Sequence, residues 1–452
     1  MPFLALLLAA AVAAASPAPG DVQARLDAQL ARLTGHTSTQ APGLQVAIAQ
    51  NGHVVYDRGF GEATADTRFP IASVTKMFTA VAIMQLVQAH RVSLDATVAK
   101  YLPRAPHAAQ ITVRELLNHT SGLWNYGDYA FQSGLVSKPT TPRAILALAA
   151  QHPLTSTPGT KWSYSNTGYV VLGLIVERVT GQSLASYEQK HIFKPAGMTQ
   201  TSVGNPPAGT PIAPAYMSAA GGKAAAYDPS WLFACGDIVS TAADLARFDA
   251  ALLDGKLITP ETFRAMQANE MPSPNGMQGL GVDTLQWGTL ELVGHHGGLP
   301  GYETENQIIP ARHMAFVVLS DAFDFGTYRA RRVVMTAFFP QETAAAQANA
   351  TPEDPAVTQR FHDALASLFA GTIDRSQYTA QVSAALTPAV LAQTAAQLKP
   401  LGSIAKIQYL AATKTAAGTV YAYNVTFSGG QTMTWQFVLD PSGKIAGIGS
   451  GG

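Results

Sequence analysis

Three short segments carry residue types that can perform acyl-transfer chemistry. Ser73-Val-Thr-Lys76 places a hydroxyl and an amine three positions apart, at the head of an apolar stretch, Met77 to Ala89, that reads as a buried helix. Residues three apart share a helix face, so the amine comes to lie beside the hydroxyl. Serine becomes a good nucleophile only when a neighbouring base takes its proton. A lysine can assist if burial or other cations lower its pKa. The start of the helix also offers unpaired backbone N–H groups where an oxyanion would develop. The same pattern recurs at Ser403-Ile-Ala-Lys406, in a strand-like run with no helix behind it, and that copy reads as coincidence.

The second segment is Tyr164-Ser-Asn166, preceded by Pro158-Gly-Thr and followed by Thr167-Gly168. A phenol can relay a proton, and a carboxamide donates and accepts at once. Taken alone, the segment reads more readily as an ordinary polar loop. The third is Gly294-His-His-Gly-Gly298, which follows a predicted strand. Two registers fit it, His295 with Gly297 or His296 with Gly298. A metal site is a weak reading, since neighbouring strand residues point to opposite sides and no carboxylate motif is near. The chain lacks a Gly-x-Ser-x-Gly elbow, a His-Glu-x-x-His helix and a phosphate-cradling loop.

The elements that must position these residues are legible in outline. Val22 to Leu33 reads as an amphipathic helix. Leu44 to Ile48 and Val54 to Phe60 read as strands joined by an Asn51-Gly52 turn. Strand-like runs return at Leu285 to Val293 and Met314 to Leu319. Strands at both ends with helices between predict an α+β fold, one sheet assembled from both ends of the chain and covered by helices. The polar, Ala-rich stretch 341–355, bounded by prolines, reads as a linker. Beyond it, helices at Ala356 to Phe369 and Tyr378 to Leu398 precede strands at Ile404 to Ala411, Thr419 to Phe427 and Gln431 to Leu439. Turns are expected at Gly429-Gly430 and at Pro441 to Gly443.

Composition narrows the function further. The 452 residues hold 29 Lys plus Arg against 29 Asp plus Glu, so no net charge draws the chain to nucleic acid or an anionic membrane. A 47% hydrophobic content excludes disorder over most of the length. The single cysteine, Cys235, excludes an intrachain disulfide and multi-cysteine zinc sites. Phe3 to Ala15 is an apolar run, shorter than the roughly 20 residues that span a bilayer, and Ala13-Ala14-Ala15 has the small-residue pattern of a cleavage site. The resulting division is 1–15 signal peptide, 16–340 catalytic domain, 341–355 linker and 356–452 small α+β domain. The mature protein is expected to be exported, periplasmic or secreted, with no stable membrane span.

In their order along the chain, the three motifs resemble those of the serine β-lactamase and DD-peptidase superfamily. The class C β-lactamase-related branch, with D,D-carboxypeptidases, D-aminopeptidases and esterases, is the most similar. Phe69-Pro-Ile-Ala-Ser-Val-Thr-Lys76, Ser93-Leu-Asp, Ile111-Thr-Val-Arg-Glu-Leu-Leu-Asn-His-Thr-Ser-Gly122, Pro158 to Gly168 and Gly294-His-His-Gly-Gly-Leu-Pro-Gly-Tyr302 carry the resemblance, over roughly Ala24 to Phe339. It selects the His295 register and implies a β-lactamase/transpeptidase-like antiparallel sheet flanked by helices. By the same resemblance, Ser73 is acylated, and Lys76 and Tyr164 carry its proton to the leaving group. Asn166 holds Lys76 and a substrate amide, and the N–H groups of Ser73 and Gly298 form the oxyanion hole.

His295 stands where β-lactamases have Lys, and His296 where relatives often have a hydroxyl that binds a substrate carboxylate. His295, Gly297 and His296 are thus expected at the substrate. An imidazole changes charge near pH 6.5, so His295 is expected to tune the reaction through its charge. No cofactor is implied. The substrate is a small molecule or peptide: a D-amino-acid-containing peptide or an ester is favoured over a β-lactam. The alternative is a penicillin-binding or sensory module that is acylated but turns over poorly, with the C-terminal domain as the surface for an unidentified partner.

Overall fold

The computed structural model describes residues 19–37, 40–217, 222–268, 270–273, 276–323, 325–349, 352–415, 418–428 and 432–450. The expected signal segment, 1–15, and the expected turn at Gly429-Gly430 lie outside these. The largest sheet is antiparallel and runs in the order β2-β1-β11-β10-β9-β8-β7-β6. Its strands are β1 (Gly43–Gln50), β2 (His53–Gly61), β6 (Met271–Ser273), β7 (Gly276–Gln278), β8 (Asp283–Trp287), β9 (Leu290–Leu299), β10 (Tyr302–Ile309) and β11 (Met314–Ser320). β1, near the start of the chain, pairs with β11, Leu44 opposite Ser320 and Gln50 opposite Met314. A small sheet, β3 (Phe69–Pro70), β5 (Ile238–Ser240) and β4 (Ser202–Val203), lies beside the nucleophile segment.

Both faces of the central strands are covered, and alternation sorts their side chains. Leu44, Val46 and Ile48 of β1, with Phe316 and Val318 of β11, join a core with Leu26 and Leu30 of α1 (Pro19–Ala31) and with Val334 and Met335 of α6 (Tyr328–Phe338). Ala47, Ala49, Val317 and Leu319 face a larger core on the other side. That core includes α2 (Thr75–Gln88), α3 (Val113–Leu117), α4 (Asn166–Thr180) and α5 (Ala242–Leu253). The small alanines of β1 let α5 lie close to the sheet. α2 is apolar on every side, as a helix buried among others must be.

Three expectations are corrected here. The run Leu285 to Val293 is not one strand but the two arms of a hairpin, β8 and β9, turned at Gly288 with φ +63°. The stretch read as a linker from residue 341 is helical as far as Asn349, forming α7 (Pro340–Asn349), because its alanines favour helix. α7 is bound to the β8–β9 hairpin: Trp287 Nε1 donates to Thr343 Oγ1 at 3.1 Å, and the Thr289 N–H donates to Glu342 Oε2 at 2.8 Å. The helical run Tyr378 to Leu398 is broken into α9 (Ala380–Ala385) and α10 (Pro388–Leu398), because a residue before proline disfavours the α conformation.

The C-terminal unit has its own core, in which Phe361 of α8 (Pro355–Phe369) stacks on Tyr423 at 4.4 Å between ring centroids. Its antiparallel sheet runs β12 (Ile404–Thr415), β13 (Gly418–Phe427), β14 (Thr432–Leu439) and β15 (Ile445–Ser450). Asn424 Nδ2 of this unit donates to Tyr328 Oη of α6 at 3.4 Å. Ser403 precedes the first residue of β12 and Lys406 lies within it, so the second Ser-x-x-Lys pattern has no helix.

Candidate active site

The nucleophile segment is anchored before it turns. Phe69 pairs with Ser240, and the Ile71 N–H donates to the Ile238 carbonyl at 3.0 Å. Ala72 then adopts φ +50°, a left-handed conformation that few non-glycine residues occupy. A single 3-10 turn, Ala72–Val74, carries Ser73 and runs directly into α2. Lys76 lies one turn on and is wholly buried. Its Nζ donates to Ser73 Oγ at 3.0 Å, to Asn166 Oδ1 at 2.8 Å and to the Cys235 carbonyl at 2.8 Å. Those bonds use all three donors of an ammonium. The rings of Tyr164 and Tyr169 lie 4.9 and 5.4 Å from the same nitrogen, so oxygens and ring faces surround this buried amine.

The second motif meets this pair from the start of α4. Ser165 is the N-cap, its Oγ accepting from the Gly168 N–H at 3.2 Å. The cap places Tyr164 just before the helix and Asn166 in its first turn. Tyr164 Oη donates to Ser73 Oγ at 2.7 Å. The Asn166 N–H donates to Asn125 Oδ1 at 3.1 Å, which fixes the helix start against the 119–125 loop.

The pairing of β9 with β10 decides between the two histidine registers. His295 stands opposite Asn306, whose Nδ2 donates to Asp249 Oδ1 of α5 at 3.0 Å. His295 thus belongs to the face that carries α2 and Ser73. His296 stands opposite Glu305, which accepts from Arg331 of α6 at 2.6 Å on the other face. His296 Nε2 is 3.1 Å from Thr327 Oγ1 and 3.8 Å from Glu305 Oε2. The substrate contact expected of His296 is therefore corrected: the two-residue alternation of a strand turns it towards α6.

His295 also departs from expectation. Its Nδ1 is bonded to the His296 carbonyl. A carbonyl can only accept, so Nδ1 carries the proton and Nε2 keeps a lone pair. Burial, reinforced by the positive charge of Lys76, pulls the imidazole down to about 3. His295 is a neutral ring at neutral pH, and the charge switch expected near pH 6.5 does not occur there.

The glycines after it act through their lack of a side chain. A Cβ on Gly297 would fall 2.5 Å from the Ile71 carbonyl oxygen and 3.1 Å from the Ser73 nitrogen. Only glycine lets β9 approach the nucleophile turn so closely. Gly298 is exposed, and a Cβ there would meet Phe323 Cε2 at 3.3 Å.

Sequence reading missed the role of His119, though it stands within the quoted stretch ending at Gly122. The ring is buried, tilted on Tyr164 at 4.4 Å, and its Nδ1 accepts from the Ser165 N–H at 3.2 Å. A histidine between a short helix and a turn was the available signal. The Cys235 carbonyl was missed as well, because nothing in a sequence marks a backbone oxygen as a lysine partner. Among the described residues no group of three or more His, Cys, Asp or Glu side chains could hold a metal ion.

A serine bonded to a buried lysine and a tyrosine, on the turn that opens a helix beside an antiparallel sheet, is the arrangement of a serine hydrolase. The chain belongs to the beta-lactamase family, whose model matches residues 22–338. It is similar to a D-stereospecific amidohydrolase from Streptomyces sp., with 30% identity, 72% of this chain and 100% of that one covered, and a TM-score of 0.61. D-amino acid amidase from Ochrobactrum anthropi SV3 is 29% identical, with 69% and 98% covered and a TM-score of 0.59. Among curated proteins, a putative penicillin-binding protein, PbpX, of Bacillus subtilis (strain 168) is 29% identical over 61% of this chain and 69% of its own length.

Proposed function

We propose that this serine hydrolase cleaves amide bonds of D-configured aminoacyl or peptide substrates, with little β-lactamase activity. Ser73 Oγ attacks the carbonyl carbon as its proton passes to the oxygen of Tyr164, which reacts as the phenolate paired with the Lys76 ammonium; Tyr164 then returns that proton to the leaving amine, and water releases the acyl group. The N–H groups of Ser73 and Gly298 are the proposed oxyanion donors. The observation that carries the substrate reading is the burial of His295, its Nδ1 bonded to the His296 carbonyl, in a place where burial and Lys76 disfavour a charged ring. β-Lactam recognition relies on a cation for the substrate carboxylate, and here Lys76 has committed all three donors while His295 has no charge to give. The relatives named as D-stereospecific amidohydrolase and D-amino acid amidase support the D-configured amide.

The test is a panel of D- and L-aminoacyl amides, D-Ala-D-Ala peptides, short-chain esters and nitrocefin. The expected order of kcat/KM puts D-aminoacyl amides at least tenfold above their L-isomers and above nitrocefin. Nitrocefin as the best substrate, or stable acylation without turnover, overturns the reading. We also propose that segment 1–15 directs export and is removed after Ala15, which N-terminal sequencing of the protein from periplasm and medium checks. Among the described residues no helix is long and apolar enough to cross a membrane.

A further inference from the structure

We propose that His119 is a positioning residue of the reaction, a neutral imidazole that clamps Tyr164 against Ser73 from both sides of its backbone. The Ser163 N–H donates to the His119 carbonyl at 2.8 Å, and the Ser165 N–H donates to its Nδ1 at 3.2 Å. One residue thus binds the N–H groups of the residues on either side of Tyr164. The ring adds a third hold, packing on Tyr164 at 4.4 Å and on Tyr169 at 5.2 Å. The Tyr164 hydroxyl, held this way, reaches Ser73 Oγ at 2.7 Å.

The backbone is bent to make this possible. His119 has φ +58°, a conformation in which Asn, Asp and His are over-represented and most side chains are strained. Asn118 Oδ1 accepts from the Thr120 N–H at 3.1 Å and closes the turn from the other side. Strain of this kind persists where surrounding bonds over-determine it.

The same geometry fixes the proton. An Nδ1 that accepts from an amide cannot carry hydrogen, so the ring proton sits on Nε2. Nε2 is buried with no hydrogen-bond partner, and the ionisable groups around the ring are Lys76 of α2, His295 of β9, Tyr164 and Tyr169. A second proton would break the Ser165 bond and put a cation beside Lys76. Burial and those neighbours hold His119 well below the usual histidine range. The clamp is therefore built to be independent of pH where histidines ordinarily titrate. It rests on the serine-hydrolase chemistry and not on the substrate class.

His119→Asn and His119→Gln separate positioning from mere structure. Asn tolerates positive φ and keeps an acceptor close to the place of Nδ1; Gln moves its amide outwards towards the place of Nε2. Acylation of the full-length protein by a fluorophosphonate probe gives a maximal rate and a half-saturating concentration for each variant. The expected result is a loss of about tenfold or more in maximal rate for His119→Gln, with less than about threefold change in half-saturation, and recovery to within about threefold in His119→Asn. Equal losses in both variants, no loss in His119→Gln, or a loss confined to half-saturation overturns the proposal. Should either variant fail to fold, nitrogen NMR of histidine-labelled wild type decides. A His119 ring that stays neutral with its proton on Nε2 between about pH 5 and 8 supports the clamp, and one that protonates in that window overturns it.

Discussion

Lys76 and Asn166 stand ninety positions apart in the chain, and their side chains meet at 2.8 Å. That bond ties the first turn of α4 to the first turn of α2, and the same Nζ reaches Ser73 Oγ at 3.0 Å. Ser73, Lys76, Asn166 and His295 stand on a helix start or a strand, and Tyr164, just before α4, is held by the bonds of the residues on either side of it to His119. The chemistry is thus held by rigid elements, which suits groups that must keep their spacing to a few tenths of an ångström.

Replacement of Ser73 by Ala should abolish covalent labelling by a fluorophosphonate, whereas Ser403→Ala should leave it unchanged. Activity should fall by at least about a thousandfold in Ser73→Ala, as in other serine enzymes. Peptide mapping after labelling checks this, and a modified peptide containing residue 403 would count against it.

Gly297→Ala should be far more damaging than Gly298→Ala. The first Cβ meets backbone at 2.5 Å, so β9 or the Ser73 turn must shift; the second meets the edge of the Phe323 ring at 3.3 Å, which can move. A displacement near 1 Å at a reacting centre costs about a hundredfold in rate. Comparable kcat values for the two variants would show that the close approach is not required.

His295 should make the protein less stable in acid. Its folded pKa, about 3, lies below the unfolded value near 6.5, so between those values the unfolded chain binds more protons. Stability from this group is therefore complete above about pH 6.5 and is lost as pH falls towards 3. Asp237, Glu303 and Asp321, each pushed up to about 7 mainly by burial, act in the opposite sense, since they bind protons more readily when folded. Comparison with His295→Gln isolates the histidine: its fall in Tm between pH 7 and pH 5 should be smaller than that of the wild type by a few degrees. An equal fall in both proteins would refute the assignment.

A chain ending at residue 350 should retain kcat on any substrate identified, while one ending at Gln341 should be less stable by about 1–3 kcal/mol. The shorter chain loses the bonds from Trp287 and Thr289 to α7, each worth about 0.5–1.5 kcal/mol net. Urea titration of the two chains measures the difference. Inactivity of a folded 350-residue chain would show that the C-terminal unit contributes to the site.

The sequence revealed the nucleophile and its helix because Ser73-x-x-Lys76 obeys helical spacing and an apolar helix follows. β10 was hidden for the opposite reason. Its residues Glu303, Thr304, Glu305, Asn306 and Gln307 are polar, yet Glu303 is half-buried and the other four are buried; Asp249 meets Asn306 and Arg331 meets Glu305. Hydrophobic alternation cannot find such a strand. The state of His295 was equally out of reach: the residue type predicts a titration near neutrality, and only the folded surroundings, burial and Lys76, remove it. The stretch from residue 341 has the low hydrophobicity of a linker, but the helix propensity of its alanines prevails as far as Asn349.

The pairing of β1 with β11 has a consequence for how the chain is made. The Gly43 N–H donates to Asp321 Oδ1 across 278 positions. At synthesis rates of ~5–20 residues per second, the β1–β2 hairpin waits on the order of fifteen seconds to a minute for its other neighbour to emerge. During that interval the inner edge of β1 is an unpaired strand rich in Val, Ile and Leu, open to pairing with the wrong partner. Contacts of such long range also make folding slow, because loop closure precedes any gain from the sheet. The catalytic sheet therefore cannot be completed before translation has passed residue 320, and a holdase that shields β1 until then should raise the yield of active enzyme.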